Sequence, residues 1–529
     1  MNPFIQKLEA AADRVKGWGA VDVGNGMTLR EALTVDGVPF WDAMVVDLAL
    51  YRVPNVGNYR RGSRMIELLR PIVAPFRYRS LRDFANGRES AELPRAPRAL
   101  LLGFSPYMTR DILEPIAQAL PRVSDLVPIV LGPSFPPADS PSQVVHRTWS
   151  EHWSGASKQR SKALSKALGK RITYLRAIAS SQELFRGMNR ASRSAIAERL
   201  TNAFTQYGRY ILVPHAAVAQ DVLATLRPEV IISPDVADPR TRLYSLLGAQ
   251  YGVPTLEVQL GVFGGEATEW RFFQSAGVAV WGAHSRQVLA RHGVPESCIH
   301  ITGSPRHDSL NETSPEQVVG IRRRFDVPES HRLIVLASVY SLNAYQTQDE
   351  LSVLRAMKRD VFEIVGRTWG IVLIVKPHPL EDLSETRRLG PDFANVIFAE
   401  PQEDIRGLIS ASDGLLTFGS TVTLDALILN KPTVSLAYPG WDWGELFVEG
   451  GATEVCVNRS DIEMAVAAMA RDGGQSLLER HALERVQFLS EWIGTTRGHA
   501  SHLIARLTAR MALQETDRPR QAALNVLES

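Results

Sequence analysis

The chain has 529 residues but only two cysteines, Cys298 and Cys456. Two thiols build neither a disulfide framework nor a thiolate metal site, and their scarcity fits a reducing compartment. No apolar run approaches the ~20 residues that span a bilayer. The start, Met1-Asn2-Pro3-Phe4-Ile5-Gln6-Lys7, lacks the apolar core of a secretory signal. A cytoplasmic protein is expected, with any membrane contact peripheral, at the inner face of the cytoplasmic membrane. Charge of one sign is also lacking: 59 Lys and Arg stand against 57 Asp and Glu, so nucleic acid is not an expected partner. Several chemical signatures are missing. There is no H-E-x-x-H, no cysteine pair and no D-x-D after a strand, since Asp235 and Asp238 have two residues between them; no metal and no other cofactor is expected. The first strand is not followed by G-x-G-x-x-G, which disfavours a dinucleotide oxidoreductase. A G-x-S-x-G elbow is absent, which disfavours a serine hydrolase.

The length asks for two large domains, and 45% hydrophobic with 22% charged residues is a globular composition able to give each a core. Residues 1–95 read as a helical N-terminal extension, closed by the polar, proline-bearing stretch Glu89 to Arg98. Residues 96–310 alternate apolar strand signals with helices, around a polar, basic helical insertion at about 150–210. Residues 311–475 restart the alternation, and 476–529 read as C-terminal helices and a tail. Strand–helix alternation implies parallel sheets. The expected fold class is therefore α/β, two doubly wound Rossmann-like domains facing a cleft, with the cleft as the expected ligand site. Two basic runs interrupt the charge balance. From Arg60 to Arg82 seven arginines face one acid, Glu67, and are interleaved with Met65, Ile66, Leu68, Leu69, Ile72, Val73 and Phe76. That mixture suits an amphipathic segment lying on anionic lipid. The second run, Lys158 to Arg171, reads as a solvated helix face.

The residues that carry chemistry sit at strand ends, where a parallel sheet binds ligands. Ile371 to Val375 is an apolar run that ends in Lys376-Pro377-His378-Pro379. The prolines stiffen the turn and aim His378. His378 and Lys376 are suited to neutralising a leaving phosphate, or else form a structural turn with a packed histidine. Gly414 to Thr417 ends in Phe418-Gly419-Ser420-Thr421, ahead of a helix from Val422. Ser420 and Thr421 read as phosphate ligands at a helix N-terminus or as its caps. Asp425, one turn on, reads as a ribose ligand or as a charge favouring that terminus. In the first half, Asp235 ends a strand and is the leading candidate for a general base, with Asp238, Glu266 and His215 behind it; helix capping is the competing role. Gly261 opens a glycine-rich exit through which an acceptor can approach the backbone, with Glu266 beyond it. Gly303-Ser304-Pro305-Arg306 marks the crossing between halves; Arg306 reads as a phosphate ligand or an interdomain ion pair.

Taken together, Trp281-Gly282-Ala283-His284-Ser285, Ile301 to Asp308, Lys376 to Pro379, and Ser412 to Pro432 resemble the matching segments of GT-B enzymes. The chain is similar to bacterial surface-polysaccharide transferases over roughly residues 210 to 470. These include capsule-type glycosyltransferases, users of CMP-sugars among them, and the CDP-glycerol glycerophosphotransferases; the UDP-N-acetylglucosamine 2-epimerases are more distantly similar. The resemblance implies that His378 and Pro379 bind the nucleotide phosphate and that Ser420 and Thr421 bind phosphate too. Two departures stand out. Gln259-Leu260-Gly261 lacks the histidine that glycerophosphotransferases often carry there, and Gly103-Phe104-Ser105-Pro106-Tyr107 differs from the epimerases' Gly-Thr-Arg-Pro-Glu-like turn. The expected activity is metal-independent glycosyl transfer from a CMP-, CDP- or UDP-linked donor to a cell-surface glycan or lipid-linked acceptor. The alternatives are UDP-sugar 2-epimerisation, CDP-glycerol-type glycerophosphate transfer, and a non-enzymatic nucleotide-sugar-binding component of an envelope assembly complex.

Overall fold

A computed structural model describes residues 3–53, 95–132, 143–175, 189–235, 237–263, 267–308, 310, 313–339, 348–378, 381–390, 393–441, 445–494 and 498–514. The basic segment Arg60 to Arg82, Glu266 and Pro379 lie outside the described residues. The chain divides into two units, Met1–Pro305 with Gly498–Ser529, and Arg306–Arg497. The division falls a few residues before the boundary expected at 310, and the last helix returns to the first unit.

A small antiparallel hairpin, β1 (Thr34–Val35) and β2 (Val38–Pro39), precedes the main sheet of the first unit. That sheet is built from β3 (Arg98–Leu102), β4 (Val127–Gly132), β5 (Val145–Thr148), β6 (Val230–Ser233), β7 (Thr255–Val258), β8 (Gly277–Val280) and β9 (Ile299–Ile301). Every pairing is parallel, in the order β5-β4-β3-β6-β7-β8-β9. Strands such as Ala99-Leu100-Leu101-Leu102 are apolar throughout because both faces are covered. On one face Leu100, Leu102 and Ile231 join a core with Ala216, Leu223, Leu243 and Leu247 of the helices Val213–Leu226 and Pro239–Gln250. On the other, Leu101 and Ile232 pack with Ile116, Ile504 and Ala505 of Glu114–Ala119 and Ala500–Gln514.

The N-terminal extension, as far as it is described, belongs to this core. Trp18 of helix Pro3–Gly19 and Phe40 and Trp41 of helix Phe40–Asp47 are buried in the cluster that holds β3. Trp41 stacks on Phe204 with ring centroids 6.2 Å apart. Buried Arg242 donates to the Asp42 and Phe272 carbonyls, both at 3.1 Å, tying the extension to the sheet layer. The second basic run lies on helix Gly155–Arg171, which buries Leu164 and Leu168 and exposes Lys158, Lys162, Lys166 and Lys170, a solvated face.

The second unit has β10 (Arg332–Ala337), β11 (Ile371–Lys376), β12 (Val396–Phe398), β13 (Gly414–Thr417), β14 (Thr433–Leu436) and β15 (Glu454–Cys456). They too are all parallel, in the order β12-β11-β10-β13-β14-β15. Strand order reverses beside β3 in the first unit and beside β10 in the second. Such a reversal opens a crevice at the carboxyl ends of the strands, where doubly wound sheets hold ligands. The two sheets are the α/β architecture expected from the alternation.

Candidate active site at the strand ends

In the second unit the register brings the strand ends level. Lys376 of β11 pairs with Ala337 of β10, Ala337 with Thr417 of β13, and Thr417 with Ser435 of β14. The residues just beyond this row, His378 on one side and Ser420 and Thr421 on the other, therefore flank the crevice beside β10.

The Lys376 to His378 turn is held from below. Lys376 is buried, and its Nζ donates to the carbonyls of Pro377 at 2.7 Å and Pro401 at 3.0 Å. Its ammonium thus fastens the turn to the next loop. The His378 amide donates to Glu381 Oε2 at 3.0 Å, and the Glu381 amide donates back to the His378 carbonyl at 2.9 Å. His378 is half-buried. Burial lowers the pKa of its imidazole and Lys376 adds to this, against the opposing Glu381 carboxylate. The ring is accordingly neutral near pH 7.

The sequence reading did not find Glu381. Its Oε1 accepts Ser338 Oγ at 2.8 Å, Lys358 Nζ at 2.6 Å and Thr386 Oγ1 at 2.6 Å. The signal was an acid three residues after His378, the spacing at which a carboxylate closes back on a turn's own amide.

The turn after β13 is shaped differently. Gly419 has φ +94°, a conformation that excludes most side chains. The Ser420 amide donates to Thr417 Oγ1 at 3.2 Å, and Thr423 Oγ1 donates to the Ser420 carbonyl at 2.7 Å. Thr421 precedes the helix Val422–Ile428 yet makes no side-chain cap bond. Among the described residues neither the Ser420 nor the Thr421 hydroxyl is engaged, and both residues are half-buried at the crevice. Capping does not consume them.

Asp425 is turned away from solvent. It is fully buried, pairs with the guanidinium of Arg306, and has His307 Nε2 at 3.4 Å. Burial pushes its carboxyl up, but Arg306 and His307 outweigh burial and hold it below the usual range. Burial keeps His307 low in spite of Asp425, so Arg306 carries the positive charge of the cluster and His307 is a neutral neighbour. The described ion pair of Arg306 lies within the second unit, so it is not the interdomain pair expected from its place in the sequence.

In the first unit Asp235 follows β6 at the strand reversal and is half-buried. Its Oδ1 accepts the amides of Ala237 at 3.0 Å and Asp238 at 3.1 Å. Burial raises its pKa, with the Asp238 charge adding to the effect, to about 7. Asp238 caps helix Pro239–Gln250 by accepting the Arg240 amide at 2.7 Å and grips the Arg240 guanidinium at 2.6 Å. Arg240 lies over the Phe104 ring at 4.3 Å. Fully buried His215 sits against Phe104 and Trp149, and burial first, then Arg240, lowers its pKa well below the ordinary value. Glu257, level with Ser233 across β6 and β7, is a second carboxyl that burial raises to about 7. Gly261 is placed by Gln259, whose Nε2 donates to the Gly261 carbonyl at 2.8 Å while its Oε1 accepts the Trp281 amide at 2.8 Å. Gly303, in the crossing after β9, has φ +80°.

Residues 278–444 match the family model of the CDP-Glycerol:Poly(glycerophosphate) glycerophosphotransferases. The match takes in roughly a third of the chain. It contains Arg306, Lys376, His378, Glu381, Ser420, Thr421 and Asp425, and leaves Asp235 outside. No curated protein matches the chain significantly. Among solved structures, UDP-GlcNAc 2-epimerase from Neisseria meningitidis bound to UDP-GlcNAc is 13% identical, with a TM-score of 0.49 over 78% of this chain and 100% of that one. The S. aureus MnaA–UDP structure is 13% identical, with a TM-score of 0.48 over 77% and 94%. The wall teichoic acid polymerase TagF, as a variant soaked with CDPG, is 13% identical, with a TM-score of 0.44 over 86% and 98%. Two of the three groups of relatives named from the motifs recur here, the glycerophosphotransferases in the family match and the epimerases among the solved structures.

Proposed function

We propose that the protein is a glycosyltransferase that moves a sugar from a nucleotide-activated donor to a cell-surface glycan or lipid-linked acceptor. One observation carries this reading: His378 and the disengaged hydroxyls of Ser420 and Thr421 flank the strand-order reversal of the second unit, within the segment that the family model matches. The imidazole N–H of His378 and the two hydroxyls donate to the phosphate that departs when the bond from sugar to phosphate breaks. Stabilisation of that developing charge is the main demand of the reaction. Lys376 secures the turn and places its positive charge beneath it. In the same reading Asp235 takes the proton of the attacking acceptor hydroxyl, and a pKa of about 7 is close to the optimum for a base at neutral pH. These protein donors do the charge neutralisation that a divalent ion supplies in other transferases, so we propose that no metal is needed. The reading places the enzyme at the inner face of the cytoplasmic membrane in capsule or other envelope polysaccharide assembly. No helix among the described residues is long and apolar enough to cross a membrane.

The family match favours a second reading, transfer of glycerophosphate from CDP-glycerol. There the acceptor oxygen attacks phosphorus and CMP departs, so the same residues would hold the leaving phosphate. Incubation with CMP-sugars, UDP-sugars and CDP-glycerol, with and without extracted lipid-linked acceptors, separates the readings. Acceptor-dependent consumption of a sugar donor is expected. Consumption of CDP-glycerol alone supports the second reading, product formed from a UDP-sugar without acceptor supports epimerisation, and intact donors throughout support a binding component. Under the proposal a folded His378→Ala protein loses turnover by at least ~100-fold, the lower range for loss of a group that stabilises departing charge. Near-normal turnover would remove His378 from the site.

A further inference from the structure

We infer that Glu381 is a positioning residue, whose carboxylate clamps the His378 turn to the end of β10 and to the helix Gln348–Arg367 and so fixes the imidazole for the nucleotide phosphate. The inference rests on the phosphate role proposed for His378. Four donors from four places converge on this carboxylate: Ser338 Oγ just after β10, Lys358 Nζ on the long helix, Thr386 Oγ1 on the helix Leu383–Arg387, and the His378 amide. Its side chain is 3% exposed and that of Lys358 5%. Lys358 Nζ also donates to the Val339 carbonyl at 2.9 Å and lies 6.0 Å from the centre of the Phe418 ring, so the clamp reaches toward the turn after β13. A buried ion pair is a poor source of net stability, because desolvation offsets its attraction. What it supplies here is geometry. Pro377 has no N–H, so the His378 amide is the donor that can anchor this part of the turn. Because Glu381 occupies that amide, His378 meets a ligand through its ring.

The division of labour between the two carboxylate oxygens gives a sharp test. Oε1 takes three donors and Oε2 takes the His378 amide. Glutamine has one acceptor oxygen, so Glu381→Gln keeps the three-donor side and sets an NH2 group against the His378 N–H. Binding of CMP, CDP and UDP is measured by calorimetry for the wild type, Glu381→Gln, His378→Ala and the double variant, alongside their melting curves. The expected result is that Glu381→Gln, which leaves buried Lys358 without its counter-ion, folds but melts below the wild type, and binds the preferred nucleotide at least tenfold more weakly at temperatures where it is folded. In the double variant it adds nothing to the loss from His378→Ala, because residues that act through one group are non-additive. A second readout is the pH profile of binding. Without the carboxylate, His378 protonates at lower pH, so the gain in affinity on acidification moves to lower pH, while Lys376 and Lys358 stay in place. Wild-type affinity in Glu381→Gln, or losses that add in the double variant, overturns the inference while His378 keeps its role. Wild-type affinity in His378→Ala overturns the phosphate role itself. If Glu381→Gln does not fold, the variant with Lys358→Met added removes the stranded charge and is read in the same way. Its failure to fold overturns the inference, since Glu381 would then be holding the unit together.

Discussion

At the scale of single residues, the structure separates groups that keep their charge from groups that titrate near neutrality. His378 is low because of burial and Lys376. A phosphate dianion beside it favours the protonated form, so binding draws in a proton. Nucleotide affinity is therefore expected to rise as the pH falls from 8 toward 6, and His378→Gln should flatten the part of the profile not due to the phosphate's own titration. Asp235 titrates in the opposite sense to a salt-bridged acid. Its folded pKa is raised to about 7, so the folded state holds the proton longer than the unfolded chain, and stability declines as the pH climbs from about 4 through 7. Asp235→Asn keeps an oxygen for the two amides and removes the repulsion with Asp238. It should raise the melting temperature at pH 8, leave it nearly unchanged at pH 4, and abolish transfer; a lower melting temperature at pH 8 would contradict this. Asp425 is held low, and its contribution is present above the usual carboxylate range and lost as the pH falls. Asp425→Ala removes the partner of a buried guanidinium and should cost about 3–5 kcal/mol, seen as early denaturant unfolding of the second unit.

At the scale of elements, the turn after β13 invites the cleanest separation of binding from stability. The Ser420 and Thr421 hydroxyls hold nothing together among the described residues, so the Ser420→Ala, Thr421→Ala double variant should melt like the wild type and lose nucleotide affinity. Gly419→Ala, at φ +94°, should instead cost the second unit about 1–2 kcal/mol. The element scale also shows how far the sequence could be read. Strands such as Ala99 to Leu102 and Ile371 to Val375 were legible because both faces of a parallel sheet are buried and the run is apolar throughout. β5, Val145-His146-Arg147-Thr148, was not. It is an edge strand paired on one side only, so polar residues are tolerated and no periodicity betrays it. The strand ends that carry His378, Ser420 and Asp235 could be placed from the apolar runs and the turn residues that follow them. Glu381, Lys358 and Ser338 could not be joined, because they come from three separate elements and only the tertiary structure brings them together. Lys376 and Asp425 were legible as important, while their contacts, with backbone carbonyls and with Arg306, depend on loops that no spacing encodes.

At the scale of the whole molecule, the chain is two cores of separate construction. Helix Ala500–Gln514 follows the second unit in sequence but buries Ile504, Ala505 and Leu507 in the first. Truncation after residue 497 should therefore destabilise the first unit and spare the second, a difference that limited proteolysis can read. The N-terminal helices were hard to interpret as sequence because their apolar residues complete a core that lies mostly downstream, through contacts such as Trp41 on Phe204. Nucleotide should act on one unit only, because a ligand stabilises the folded body that holds it. The most direct test of the central claim is differential scanning calorimetry of the wild type and His378→Ala with CMP, CDP, UDP and GDP. The expected result is that one nucleotide raises the transition of the second unit in the wild type and loses that effect in the variant. No shift with any nucleotide, or an equal shift in both proteins, would contradict it.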